Sequence, residues 1–216
     1  VQRQLHEDFS ALVPGSVLIS EENETNDYAT RQPRWIIDPI DGTTNLIHRY
    51  PHVAISAAYI ETRGRFGIVY NPFNRELFTA MSGHGAYLNG ERIAVSGNRT
   101  LGSSLIGFGL PYDRSKSGRM FRAAEQVYAH CQDMKRKGPA SLDLAYVAAG
   151  RIDGYMEQDL HIWDIAAGLI VLAEAGGAAT DWTGEQLPDG LSITDLAATN
   201  GHIHDELMGI LLRTSS

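Results

Sequence analysis

Short apolar runs separated by turn signals dominate the first half of the chain. "HVAISAAYIE" (52–61) is rich in apolar and β-branched residues and predicts a buried strand. "FGIVYNPFNRELFTAM" (66–81) follows the turn signal "TRGR" and predicts a hairpin around Asn71, Pro72, Phe73 and Asn74. "GAYLNGERIAV" (85–95) predicts another, with Asn89-Gly90 as its turn pair. Residues 35–96 therefore read as an antiparallel sheet. "SVLIS" and "SLIGFGL" (104–110) are further strand candidates, as are "DGYMEQ" (153–158) and "DLAATN" (195–200).

Helical spacing appears elsewhere. "GRMFRAAEQVYAHC" (118–131) and "SLDLAYVAAG" (141–150) predict helices, with Gly150 fitting a C-cap. "WDIAAGLIVLAEAGG" (163–177) predicts a helix ending at Gly176-Gly177, and Leu207, Ile210 and Leu211 mark one face of a last helix. Leu5, Phe9 and Leu12 also recur at helical spacing. Neither Met nor an N-cap signal precedes that run, so the helix is expected to begin upstream of Val1. Strands and helices in this order predict an α+β layered domain, not a regular βαβ winding.

Composition narrows the function classes. The chain has 216 residues, 43% of them hydrophobic, enough for one core or one two-lobed domain. It contains no uninterrupted apolar run of membrane-spanning length. The single cysteine, Cys131, cannot form an internal disulfide; with no signal-like segment, a reducing cytoplasm is expected. A net charge of -8 without a basic cluster argues against nucleic acid or anionic membrane as a partner. A negative protein acting on a negative substrate needs bound cations.

That need directs attention to "WIIDPIDGTTN" (35–45). Pro39 disfavours helix at Asp38, so the strand is expected to stop there. Asp38 and Asp41 repel each other unless a cation lies between them. A turn in which both bond nearby amides is the plainer alternative. Gly42 permits a left-handed backbone, and Thr43, Thr44 and Asn45 can open a helix whose free amides suit phosphate. Acids for a hard cation beside amides for an anion describe a metal–phosphate site.

Other acids have ordinary readings too. Glu21 and Glu22 fit a solvated pair on a loop. Asp164 fits a helix N-cap, and Glu157 an outward-facing charge on a strand. Jointly they supply oxygen ligands, which suit Mg²⁺ better than Zn²⁺. The eight histidines form no zinc pattern; His202 and His204 mark a loop. Cys131 lies in a helical stretch and reads as packed, not reactive. No G-x-x-x-x-G-K-[ST] loop is present.

"WIIDPIDGTTNLIHRYPHVAIS" and "HIWDIAAGLIVLAEAGG", in that order, resemble the inositol monophosphatase family of Mg²⁺-dependent, lithium-sensitive sugar phosphatases. The likeness continues through "GIVYNPFNRELFTAMSGHGAYLNG" and "GPASLDLAYVAAGRIDGYME". It implies a layered αβαβα sandwich of the inositol monophosphatase and fructose-1,6-bisphosphatase type, and a homodimer. It implies one phosphatase domain with a metal-binding lobe over about 1–100 and a second lobe over about 101–216, its N-terminal helices partly missing.

By position, the resemblance gives Glu21 to a first metal, Asp38 to a bridge between two, and the Ile40 carbonyl as a further ligand. Asp41 and Asp164 would hold a second metal. Thr43 would help Glu21 orient a water, and the Gly42 and Thr43 amides would hold phosphate. Glu157 and the backbone at Gly138 and Ala140 match contacts to the substrate ring. The implied reaction is direct attack of a metal-activated water on a phosphomonoester, with no covalent phosphoenzyme. Pro139 stands where Ser or Thr is common, and Asp159 where Gly is frequent. Both bear on substrate choice. Inositol monophosphate is the first candidate; fructose 1,6-bisphosphate, histidinol phosphate and nucleotide 3'-phosphate are alternatives. A dimeric regulatory scaffold without turnover is the reading from another class.

Overall fold

A computed structural model describes residues 2–214. Two sheets form its frame. The first has seven strands in chain order: β1 (Val17–Ser20), β2 (Arg34–Asp41), β3 (Ala54–Glu61), β4 (Gly64–Asn71), β5 (Glu76–Met81), β6 (Gly85–Leu88) and β7 (Glu91–Ile93). All pairings from β2 to β7 are antiparallel, as expected for residues 35–96; β1 adds to β2 in parallel. Both expected hairpins are present. Asn89 takes the left-handed conformation (φ 51) that its turn requires.

The second sheet has the order β11 (Ala178–Thr180), β12 (Ile193–Thr199), β10 (Gly154–His161), β8 (Leu105–Phe108), β9 (Asp133–Lys135). Between the sheets lie α4 (Ala140–Ala148) and α5 (Ile162–Glu174), whose apolar residues form the main core with Ile36, Val69, Phe78 and Tyr155. Gly168 lets the two helices close up: a Cβ there would stand 2.7 Å from that of Leu144. Outside the second sheet, α3 (Ser117–Tyr128) and α6 (His204–Thr214) bury Met120, Val127, Leu207 and Leu211. Outside the first, α1 (Gln2–Leu12) stacks Phe9 on Trp35 with ring centres 4.2 Å apart. The layers are α, β, α, β, α.

Three local expectations change. His204 opens α6 instead of marking a loop, and its ring nitrogens meet the Thr180 and Thr199 hydroxyls. Cys131 lies just beyond α3, half-buried against the second core, and burial raises its thiol pKa. Strand β2 does not stop at Asp38 but runs on to Asp41. Among the described residues no helix is long and apolar enough to cross a membrane.

Candidate metal centre

The extension of β2 creates the site. Residues three apart on a regular strand point to opposite faces. Asp38 lies opposite Ser56 and Asp41 opposite Ala54, so three steps along β2 match two along β3. This bulge at Pro39–Ile40 restores parity and brings both acids to the inner face. Pro39 has no N–H to lose from the ladder, which suits it to the position. Asp164 joins them from the first turn of α5. Carboxylate oxygens of Asp38, Asp41 and Asp164 all lie within 4.8 Å of one another, and all three residues are buried.

Each acid is held separately. Asp38 Oδ1 accepts the Ile40 amide proton at 2.9 Å. Asp41 Oδ2 accepts from the Ser141 amide (3.1 Å) and hydroxyl (2.6 Å) at the start of α4. Asp164 is not the N-cap. His161 holds that position in extended conformation, and Asp164, at the third helical position, accepts the His161 amide proton at 2.8 Å. Tyr112 donates to its other oxygen at 3.4 Å.

Burial, then the Asp41 charge, pushes the Asp38 carboxyl up to about 9, and the same two causes push Asp164 up to about 8. Burial raises Asp41 to about 6, against the lowering effect of both Ser141 bonds. Without a cation Asp38 and Asp164 therefore retain protons near neutrality, whereas Asp41 does so only below about pH 6. A divalent cation would supply the missing charge and release them. The donors are hard oxygens at a strand end, and the cluster includes no sulfur or imidazole; this fits Mg²⁺.

The remaining sequence-derived residues occupy two settings. Glu21 is exposed in the turn after β1, outside the three-carboxylate group, although its charge bears on all three. Burial, then Glu22, raises its own pKa. The Ile40 carbonyl accepts the Thr43 hydroxyl at 3.1 Å. Gly42 has φ 92 and precedes the short helix α2 (Thr43–Ile47). A Cβ on Gly42 would stand 2.8 Å from Pro139 Cγ. Asn45 Nδ2 donates to the carbonyls of His52 (2.8 Å) and Lys137 (2.9 Å). Gly138 (φ 136) leaves room for that amide, and Ala140 begins α4. Segments 41–45 and 137–141 are thus clamped together.

Glu157 is buried, not outward-facing. The Tyr155 hydroxyl donates to its Oε2, and a Cβ on Gly109 would stand 2.0 Å from its carboxyl carbon. Burial raises its pKa well above the usual range, reinforced by Asp164 and Asp41. Ser141, Tyr112, Tyr155 and His161 were not anticipated. The Ser141 and Tyr112 contacts bridge long chain separations that no local spacing reveals.

Fold and site together define a layered α+β protein with a buried carboxylate centre suited to a divalent cation. The inositol monophosphatase family model matches residues 1–215, and the chain belongs to that family. It is 40% identical over 215 residues to an inositol-1-monophosphatase of Rhizobium meliloti, covering 98% of this chain and 80% of the relative. It is 42% identical over 173 residues to the Nus factor SuhB of Escherichia coli, covering 79% of this chain and 65% of that one. Among solved structures, the inositol monophosphatase of Anabaena (Nostoc) sp. superposes with a TM-score of 0.87 at 36% identity, covering 98% of this chain and 84% of that one.

Proposed function

We propose that the protein is a Mg²⁺-dependent phosphomonoesterase acting on inositol monophosphate or a similar sugar phosphate. The observation that carries this reading is the buried grouping of Asp38, Asp41 and Asp164 within 4.8 Å. Asp38, Asp41, Asp164, Glu21 and the Ile40 carbonyl are the candidate holders of the metal. Bound Mg²⁺ would supply Lewis acidity and a more acidic water at neutral pH. The residues supply placement. Ser141 fixes Asp41, and the His161 amide fixes Asp164. The Gly42 and Thr43 amides follow Asp41 directly and receive the phosphate. Glu157, held by Tyr155 beside Gly109, receives a hydroxyl of the sugar or cyclitol. Pre-placed groups of this kind lower a barrier by positioning and by charge stabilisation.

Family membership and the inositol monophosphatase names of its relatives support the substrate class. A homodimer is part of the same proposal and rests on family membership alone. The name Nus factor, carried by a relative at 42% identity, supports a second reading as a regulatory scaffold without turnover. A phosphate-release panel separates these. It would cover inositol 1-phosphate, fructose 1,6-bisphosphate, histidinol phosphate and adenosine 3',5'-bisphosphate, each with Mg²⁺ and with EDTA. Mg²⁺-dependent release, fastest on inositol 1-phosphate, is expected. Release that persists in EDTA, or none on any substrate, overturns the proposal.

A further inference from the structure

Away from the acidic centre, a cavity of about 510 Å³ opens between α5 and the β1 edge of the first sheet. One stripe of α5 lines it: Ile162, Ala166, Leu169, Ile170 and Ala173. Asp164 projects from a different side of that helix and is not part of the lining. Ile19 and Ile36 form the opposite wall, and residues 186–191 border it. A second depression of about 860 Å³ adjoins it, sharing Tyr28, Arg34, Ile60, Arg65 and Asp189 among its lining residues.

Arg34 stands where the two meet. It begins β2, on the same face as Ile36, and is 7% exposed. A buried guanidinium is costly unless an anion or several acceptors meet it. The Arg34 side chain has one hydrogen bond among the described residues, from Nη1 to the Thr30 carbonyl at 3.2 Å. Neighbouring acids are engaged elsewhere. Asp189 pairs with Arg65 at 2.9 Å, Glu61 accepts from the Tyr59 hydroxyl at 3.2 Å, and Glu174 accepts from the Gly83 and Gly85 amides. Arg31 and Arg63 add positive charge around the same depression, in a chain of net charge -8. An apolar cleft ending at a buried, under-used cation has the chemistry of a ligand site. The guanidinium fork matches a carboxylate or phosphate through two parallel hydrogen bonds.

We propose that this cavity is a second ligand site, taking a small amphipathic anion whose carboxylate or phosphate head meets Arg34 and whose apolar tail lies along α5. The site is independent of the catalytic reading above.

The test is calorimetric titration with sodium octanoate, octyl phosphate and octanol, first in EDTA and then with Mg²⁺. In EDTA the acidic centre holds no cation to attract either anion. The expected result is one saturable site for at least one anion, unchanged by Mg²⁺ and not matched by octanol. The two anions distinguish a carboxylate head from a phosphate head. Arg34→Gln should weaken binding about tenfold or more, the loss of a charged hydrogen bond. Leu169→Trp, which fills the cleft without touching Arg34, should abolish binding, and it serves alone if Arg34→Gln does not fold. The proposal is overturned if neither anion saturates, if octanol binds equally, or if binding appears only with Mg²⁺. Wild-type affinity in either variant also overturns it.

Discussion

Asp41 and Ser141 are a hundred residues apart in sequence, yet the Ser141 hydroxyl donates to Asp41 Oδ2 at 2.6 Å in the buried interior. This bond joins the end of β2 to the start of α4 and lowers the Asp41 pKa against the effect of burial. Ser141→Ala removes the hydroxyl and leaves the amide bond. Losing a hydrogen bond to a buried charged group costs about 1–3 kcal/mol. The Asp41 pKa should rise above its present value of about 6, so more of it stays protonated near neutrality. Mg²⁺ affinity should therefore fall, with the deficit largest near pH 6 and shrinking as pH rises. Titrations of Mg²⁺ at several pH values check this; an equal deficit at every pH would remove the proton from the explanation.

Gly42 is constrained twice, by φ 92 and by the 2.8 Å approach to Pro139. Gly42→Ala should destabilise the fold by about 1–3 kcal/mol through backbone strain, with the steric contact adding to it. Pro139→Ala in the same chain should recover the steric part and leave the strain. Urea unfolding of the two single variants and the double variant measures the coupling. Strict additivity would mean that segments 41–45 and 137–141 do not press on each other.

Stability of the metal-free chain should depend on pH in an unusual direction. Asp38 and Asp164 have folded values near 9 and 8, against an ordinary 3.8. Their folded pKa values are raised, so their contribution is fully present below the ordinary value. It is lost as pH rises through the folded values. His52, buried and lowered to about 4 from 6.5, acts in the opposite sense but only below pH 6.5. Between pH 6.5 and 9 the carboxylates dominate, and stability in EDTA should fall. Excess Mg²⁺ should recover most of that loss, because the cation takes the place of the protons. Thermal melts at three pH values, with EDTA and with Mg²⁺, read both effects. A rise in EDTA stability across the window would contradict the charge assignment.

Glu157 is placed for the sugar, not for the metal. Glu157→Gln should slow a cyclitol or sugar phosphate by about tenfold, the worth of one buried hydrogen bond. A plain aryl phosphate has no ring hydroxyl to lose and should be affected much less. Rates on the two substrates compare the roles directly, and equal losses would move Glu157 into the chemistry or the fold.

The first sheet was legible because alternation and turn pairs are local signals. Asn89-Gly90 and Asn71-Pro72 state where the chain reverses, and sequential antiparallel pairing follows. The second sheet was less so. β9 and β11 are only three residues long, too short to show a period, and the order of β8, β10 and β12 depends on helix packing. Among site residues, the two acids in "DPID" were visible, but the strand-ending effect of Pro39 misread a bulge as a terminus. The N-cap reading of Asp164 failed by three positions, because a histidine holds the cap and gives no strong sequence signal. Glu157 read as a surface charge because the space made by Gly109 is a tertiary fact.

Asp164 offers the sharpest separation of structure from chemistry. Its Oδ2 accepts the His161 amide proton, a helix-start role that the Asn side-chain oxygen reproduces. If that role were its whole task, Asp164→Asn would keep both stability and activity. In the metal reading, the substitution removes one charge from three acids whose oxygens lie within 4.8 Å. Metal-free stability should then hold near neutrality and rise above about pH 8, where the Asp164 charge would otherwise appear. Mg²⁺ affinity should drop, and turnover should fall by about a hundredfold or more, on the scale of losing one preorganised electrostatic contact. Melting with and without Mg²⁺ gives the first quantity, and hydrolysis across a Mg²⁺ titration gives the second. A variant that melts like the parent and turns over at a near-normal rate at ordinary Mg²⁺ would leave Asp164 as part of the helix start alone. The centre would then have to work with Asp38 and Asp41 as its only buried acids from the cluster.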